Sequence, residues 1–128
     1  MKSVRVQWLN HPHSLMFFQL DADFTIEDYR EAVKEAWTLL DNHLAEKFYV
    51  VADVSAVNRI PTTMITTMFK AYGKTHPSFA GLTIFIGAPR FIQRLVDQFQ
   101  NIFHTSKFGF ANDFVDLDSV IAQHLQHH

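Results

Sequence analysis

The chain has 128 residues, of which 48% are apolar and 19% charged, so it can bury a single hydrophobic core and is too apolar for a disordered chain. Its formal net charge of -2 and its lack of a basic run argue against nucleic acid as a partner. No apolar run reaches the roughly 18 residues of a membrane span. A load of 13 Phe residues is the feature of the composition that most needs a structural explanation.

Residue usage also bears on compartment and domain limits. The chain contains no cysteine, which excludes disulfides and fits a reducing compartment. Residues 1–10 lack the apolar segment of a secretory signal. We therefore predict one cytoplasmic domain over residues 1–126, and we set aside His127 and His128 as residues of the kind that a purification tag leaves.

The first predicted elements are a hairpin and a helix. Val4–Trp8 alternates with period two, and Leu15–Leu20 follows a turn-like segment, so two paired strands are predicted. Thr25 and Asp28 resemble the ends of a capping box, which predicts a helix start. Apolar spacing then continues this helix for about five turns. The apolar positions are Ile26, Tyr29, Val33, Ala36, Trp37, Leu40 and Leu44.

The rest of the chain alternates predicted strands and helices. The order that results is β-β-α-β-α-β-α-β-α, and right-handed crossovers predict an α/β fold with a mostly parallel central sheet and helices packed on it. The predicted strands are a central one at Phe48–Ala52, which ends at Asp53, another at Leu82–Ile86, and a short one within Phe108–Val115. The predicted helices are a second one from Pro61 to Tyr72, a third that has Pro89 in its first turn, and a fourth that is capped by Asp116.

This order, together with the segment Val51-Ala52-Asp53-Val54-Ser55-Ala56-Val57, resembles the STAS domain family of anti-sigma-factor antagonists (SpoIIAA-like). In that family a strand ends in Asp-apolar-Ser-x-Val, and Asp-Ser-Ser-Gly opens the next helix. Asp53, Ser55 and Val57 match the first stretch. In the second stretch, Pro61 stands in place of the acid, Thr62 and Thr63 in place of the serines, and Met64 in place of the glycine.

The resemblance implies a non-enzymatic regulatory domain that docks a protein partner and is switched by phosphorylation. The phosphorylated serine of the family corresponds to Thr63, with Thr62 beside it. A helix N-terminus favours an added phosphate, because its N–H groups and dipole attract negative charge. The alternative is that one of the two hydroxyls caps the helix.

A second group of candidate residues surrounds the end of the central strand. Ligands bind beyond the carboxyl ends of strands in open α/β sheets, and Asp53 and Ser55 lie there. The alternative is an Asx or Ser turn that only holds the loop. The turn Gly87–Arg90 likewise either holds an anion or simply joins a strand to a helix. The partner- or ligand-binding candidates are Asp53, Ser55, Asn58, Arg59, Met64 and Arg90.

Large apolar residues concentrate in the predicted second and third helices. They either pack in the core, form a protein interface or homodimer, or line a pocket for a lipid-like molecule between these helices and the sheet. A pocket of that kind needs roughly 300 Å³ or more. The candidates are Met68, Phe69, Tyr72, Phe91, Leu95 and Phe99.

No motif predicts catalysis, a cofactor or a metal. His11-x-His13 has no third ligand at a recognisable spacing, and G-x-S-x-G is absent from the sequence. We therefore expect a binding domain rather than an enzyme.

Overall fold

The computed structural model describes residues 3–9, 14–41, 47–58, 60, 79–102 and 107–126, with backbone alone at 79, 80, 99–102, 125 and 126. These residues form five strands and three helices in an α/β arrangement, as predicted. The strands are β1 (Val4–Leu9), β2 (Leu15–Leu20), β3 (Phe48–Asp53), β4 (Phe79–Ile86) and β5 (Lys107–Ala111), and the helices are α1 (Ile26–Asp41), α2 (Arg90–Ile102) and α3 (Phe114–Gln126).

The five strands form one sheet in which spatial order equals chain order. β1 runs antiparallel to β2, whereas β2, β3, β4 and β5 are mutually parallel, so the sheet is mostly parallel and β3 is its middle strand. In the register, Ala52 on β3 lies beside Phe18 on β2 and Phe85 on β4. The second predicted helix, Pro61–Tyr72, lies outside the described residues.

Each face of the sheet has its own core, because side chains alternate between the faces of a strand. Helices α1 and α2 pack on one face, called the first face, and α3 packs over β4 and β5 on the other, the second face. First-face buried residues are Val4, Val6, Met16, Phe24, Ala32, Ala36, Phe48, Ala52, Val54, Val57, Phe85, Ile92, Val96 and Phe108. Second-face buried residues are Leu15, Phe17, Val51, Leu82, Ile84, Ile86, Ala111, Leu117, Val120 and Ile121.

The start of α1 confirms the predicted cap. The Asp28 backbone N–H donates to Thr25 Oγ1 at 3.1 Å, so Thr25 caps the helix, and Asp28 lies in its first turn. The Asp28 carboxylate also contacts the segment before β1. It accepts hydrogen bonds from the backbone N–H and the hydroxyl of Ser3 at 2.8 and 2.7 Å, and the Thr25 N–H donates to Ser3 Oγ. Ser3 thus joins the edge of the hairpin to α1.

Two predicted helix starts shift by a few residues. α3 begins at Phe114, and Asp113 rather than Asp116 is its cap, since the Asp116 N–H donates to Asp113 Oδ1 at 2.9 Å. α2 begins at Arg90, and Pro89 lies just before it, with the Pro89 carbonyl accepting from the Gln93 N–H at 3.1 Å. In both cases the residue just before the helix accepts a hydrogen bond from a first-turn N–H, Asp113 through its carboxylate and Pro89 through its carbonyl.

The apolar side of α1 is largely the predicted one. Ala36 is buried, and Ile26, Tyr29 and Leu40 are partly buried against the first-face core. Trp37 is the exception at 39% exposed, and Ala32 is buried in addition. No helix among the described residues is long and apolar enough to cross a membrane.

The Phe residues have mixed positions. Phe17, Phe48, Phe85 and Phe108 are buried in the two cores. Phe18 and Phe110 are partly buried against the first-face core. Phe91 and Phe114 are 41% and 49% exposed. The Phe114 ring nevertheless packs against the Phe17 ring, with their centroids 5.4 Å apart. Among described side chains, therefore, the strands account for most of the buried Phe.

Candidate functional site

The carboxyl ends of β2, β3, β4 and β5 meet at one edge of the sheet, because these strands are parallel. The segments that follow them, residues 21–25, 54–58, 87–89 and 112–113, are called the carboxyl rim. Backbone hydrogen bonds tie the rim segments to one another and to the last residues of the neighbouring strands. They run from Asn58 N to Ala22 O at 3.4 Å, from Val54 N to Ile86 O at 3.1 Å, and from Gly87 N to Ala111 O at 2.9 Å.

The predicted pair Asp53 and Ser55 forms a local turn at the end of the middle strand. Both the backbone N–H and the hydroxyl of Ser55 donate to Asp53 Oδ1, at 3.0 and 2.6 Å. This is the Asx-turn geometry that the sequence left open as the alternative to a ligand site. Asp53 therefore holds the loop, while Ser55, Ala56 and Asn58 expose their side chains on the rim.

Gly87 lies on the rim, at the start of the turn that the sequence predicts either to hold an anion or simply to join a strand to a helix. Its φ is +65°, a left-handed conformation that side chains with a Cβ rarely adopt. A Cβ at this position would lie 2.6 Å from the Cβ of Ser55. Gly87 therefore lets the β4–α2 turn pack directly on the loop after β3, a contact between turns that no local sequence signal could reveal.

The other predicted binding residues are only partly covered by the described structure. Arg90 is exposed at the first position of α2. Arg59, Thr62, Thr63 and Met64 lie outside the described residues, as do Met68, Phe69, Tyr72 and the side chain of Phe99.

An apolar cavity of about 110 Å³ lies on the first face between α1 and α2. Of the predicted pocket residues, Leu95 lies on its wall and Phe91 does not. The volume is smaller than the roughly 300 Å³ expected for a lipid pocket. The described lining residues are Phe18, Leu20, Phe24, Tyr29, Val50, Ala52, Val54, Val57, Ile60, Thr83, Phe85, Ile92, Leu95, Val96 and Phe108.

The cavity wall carries two hydroxyl groups and, among the described lining residues, no charged side chain. Thr83 is 3% exposed in the middle of β4. Burial raises the pKa of Tyr29, which keeps its hydroxyl neutral. The described part of the wall therefore offers apolar contact and neutral hydrogen bonds.

The charged and histidine side chains in the described part of the chain form no metal-binding group. No group of three or more His, Asp or Glu side chains there could hold a metal ion. Arg5 and Asp21 form an ion pair at 3.8 Å, with both side chains well exposed, so this pair contributes little to stability. The carboxyl rim and the apolar cavity are thus the two features on which a function can be argued.

The described chain is an α/β domain whose mostly parallel sheet carries a rigid carboxyl rim and an apolar cavity on one face. No family model matches the sequence, and searches of curated proteins and of solved structures find no similar protein. Function must therefore be argued from the fold and from these two features.

Proposed function

We propose that the protein is a non-enzymatic regulatory domain, similar to the STAS domains of anti-sigma-factor antagonists, that docks a protein partner through the carboxyl rim. The contact centres on residues 54–58, the loop after the middle strand. The observation that carries the proposal is the exposure of Ser55, Ala56 and Asn58 at the carboxyl end of β3. In an open α/β sheet this edge is the common place for binding.

The rigidity of the rim supports a docking role. Its segments are joined by backbone hydrogen bonds, and the Asp53–Ser55 turn fixes the path of the exposed loop. A surface that is already ordered before binding loses little conformational entropy when a partner docks. The mostly parallel sheet, which opens with an antiparallel hairpin, is compatible with the α/β fold that the resemblance implies.

The switch is the second part of the proposal. Phosphorylation of Thr63, or of Thr62, would add about −1.5 to −2 charges close in sequence to the docking loop. Added charge at that place would change the affinity for the partner through electrostatic complementarity. The enzyme that adds the phosphate would be a protein kinase of the native host.

A substitution that adds a large charged side chain to the rim tests whether the partner docks there. Ala56→Arg puts a long cation on the exposed loop, and Ala122→Arg makes the same substitution at an exposed position of α3. We expect proteins of the native host that bind the wild-type chain to lose at least tenfold in affinity for Ala56→Arg and to bind Ala122→Arg normally. Equal binding by both variants would contradict docking at the rim. A photo-crosslinking residue at position 56 should then identify the partner.

The switch has its own test. After incubation with host kinases, mass spectrometry should detect phosphate on Thr63 or Thr62, and Thr63→Glu should change the affinity for the partner that crosslinking at position 56 identifies. Thr63→Val is the matched control, because it removes the hydroxyl without adding charge. Unmodified threonines together with an unchanged affinity for Thr63→Glu would eliminate the switch and leave docking standing.

A further inference from the structure

The cavity on the first face has a specific origin in the sheet. Ala52 lies in register between Phe18 and Phe85 on the neighbouring strands, so a single methyl group separates two aromatic rings. The Phe85 ring is itself held by the rings of Phe108 and Phe110, with centroids 6.0 Å away in both cases. Because its neighbours hold this ring in place, the gap above Ala52 does not close by a simple side-chain rotation.

The size of the cavity limits what can occupy it. An apolar cavity of about 150 Å³ in another protein stays dry and binds benzene. The cavity here, at about 110 Å³, falls near that size and well below a lipid pocket. Its described walls come from four strands and both first-face helices, so it lies directly over the first-face core.

The chemistry of the walls limits the occupant further. A buried carboxylate needs a charged or strongly donating partner, and its desolvation is costly without one. The described lining offers only the neutral hydroxyls of Tyr29 and Thr83. A lipid-like molecule such as a fatty acid therefore fits this cavity poorly. Its carboxylate would find no charged partner among the described lining residues, and its chain is too long for a volume of about 110 Å³.

We propose that this cavity binds an uncharged apolar molecule of the size of one aromatic ring or a short alkyl chain, with at most one neutral polar group. The proposal goes beyond docking at the carboxyl rim and does not depend on it. Ligand binding would stabilise the folded state, and it would add small-molecule sensing to the domain.

Three probe molecules, each with a single aromatic ring, distinguish the effect of ligand shape on binding from the effect of ligand charge. Benzene has no polar group, phenol has a neutral one, and benzoate has a carboxylate. Each is titrated into the full chain while NMR follows methyl groups of Val50 and Leu95 on the cavity wall and of Ile84 and Leu117 on the second face. We expect saturable shifts of the cavity methyls with benzene and phenol, and at least tenfold weaker binding of benzoate.

A cavity-filling variant tests the location. Ala52→Leu adds three carbons over the gap and should weaken benzene binding at least tenfold, and Ala52→Val is the smaller replacement if the leucine variant fails to fold. Val51→Ile is the matched control, because it adds a methylene to the same strand on the opposite face. Unsaturable shifts, equal shifts on both faces, equal binding of phenol and benzoate, or unchanged benzene binding by the filled variant would each overturn the proposal.

Discussion

At Gly87 the chain leaves β4 in a left-handed conformation while it packs against Ser55. A side chain at this position would destabilise the fold in two separate ways. The left-handed backbone disfavours a residue with a Cβ by roughly 1–2 kcal/mol. Overpacking against a neighbouring turn adds about 1–3 kcal/mol. The tight contact between two rim segments therefore depends on the absence of a side chain.

Gly87→Ala should lower the free energy of unfolding by about 2–5 kcal/mol, which is the combined effect of strain and overpacking. Gly109→Ala is the control. Its added Cβ would approach His124 Nε2 at 2.8 Å, but no positive φ is involved and the imidazole is the end of a side chain that can rotate. Urea titrations of both variants compare the costs. An equal loss in the two would show that the rim contact has no special role.

The contribution of the Asp28 carboxylate to the stability of the fold depends on pH. Hydrogen bonds from the backbone N–H and then the hydroxyl of Ser3 hold the pKa of Asp28 below its usual value of 3.8. A carboxyl group with a lowered pKa in the folded state stabilises the fold above its unfolded-state pKa. That contribution disappears as the pH falls through the lower, folded-state value.

Asp28→Asn should therefore reduce the free energy of unfolding at neutral pH, and the difference from wild type should shrink at an acidic pH below 3.8, as the pH falls through the lowered folded-state pKa. Asp23→Asn, at an exposed position of the neighbouring loop, is the control and should change stability little at either pH. Urea unfolding at the two pH values is the measurement. A difference that stays constant with pH would show that the charge on Asp28 is not what Ser3 stabilises.

Individual residues were harder to predict than the elements that contain them. The sequence left Asp53 and Ser55 open between a ligand site and a local turn, and their hydrogen bonds form the local turn. The Ser3–Asp28 contact spans 25 positions in sequence and has no pattern that would reveal it. Side-chain partners of this kind are decided by how elements meet in space.

At the scale of elements, strand positions followed closely from the sequence. β1, β2, β3 and β4 occur where alternating or continuous apolar runs predicted them, because a sheet demands such runs. Helix ends were less predictable. Two acids, Asp113 and Asp116, lie three residues apart before the apolar part of α3, and composition alone does not decide which of them caps it.

The start of α3 offers a direct test of the cap. Asp113→Ala removes the acceptor of the Asp116 N–H and should lower the free energy of unfolding by about 1 kcal/mol. Asp116→Ala removes the acceptor of the Asn112 N–H at 3.2 Å, a bond outside the helix, and should have a smaller effect. Thermal unfolding of the two variants orders them. A larger loss for Asp116→Ala would restore the helix start predicted from the sequence.

At the scale of the whole molecule, one sheet supports both cores. Trp8 packs against Phe48 on the first face with ring centroids 6.3 Å apart, whereas Ile121 of α3 is 1% exposed on the second face. Because the same strands carry both sets of side chains, the two faces should unfold together.

Ile121→Ala should destabilise the protein by about 2–5 kcal/mol, since it leaves a cavity in the second-face core. In a Trp37→Phe background, which removes the second tryptophan of the chain, the fluorescence of Trp8 on the opposite face should shift to the same lower midpoint as the helical circular dichroism signal. Gln123→Ala, at a nearby exposed position of the same helix, should change stability by less than about 0.5 kcal/mol. Separate midpoints for the two signals would mean that the faces unfold independently.

The sequence by itself determined the class of fold, the place of each strand and the central position of β3, since these depend on local apolar periodicity and on the handedness of crossovers. The tertiary structure decided the rim contact at Gly87, the Ser3 bonds to Asp28 and the cavity above Ala52. Each of these joins residues from separate elements. The gap above Ala52 exists because parallel pairing sets two large rings beside one methyl group, a coincidence of register that no single segment contains.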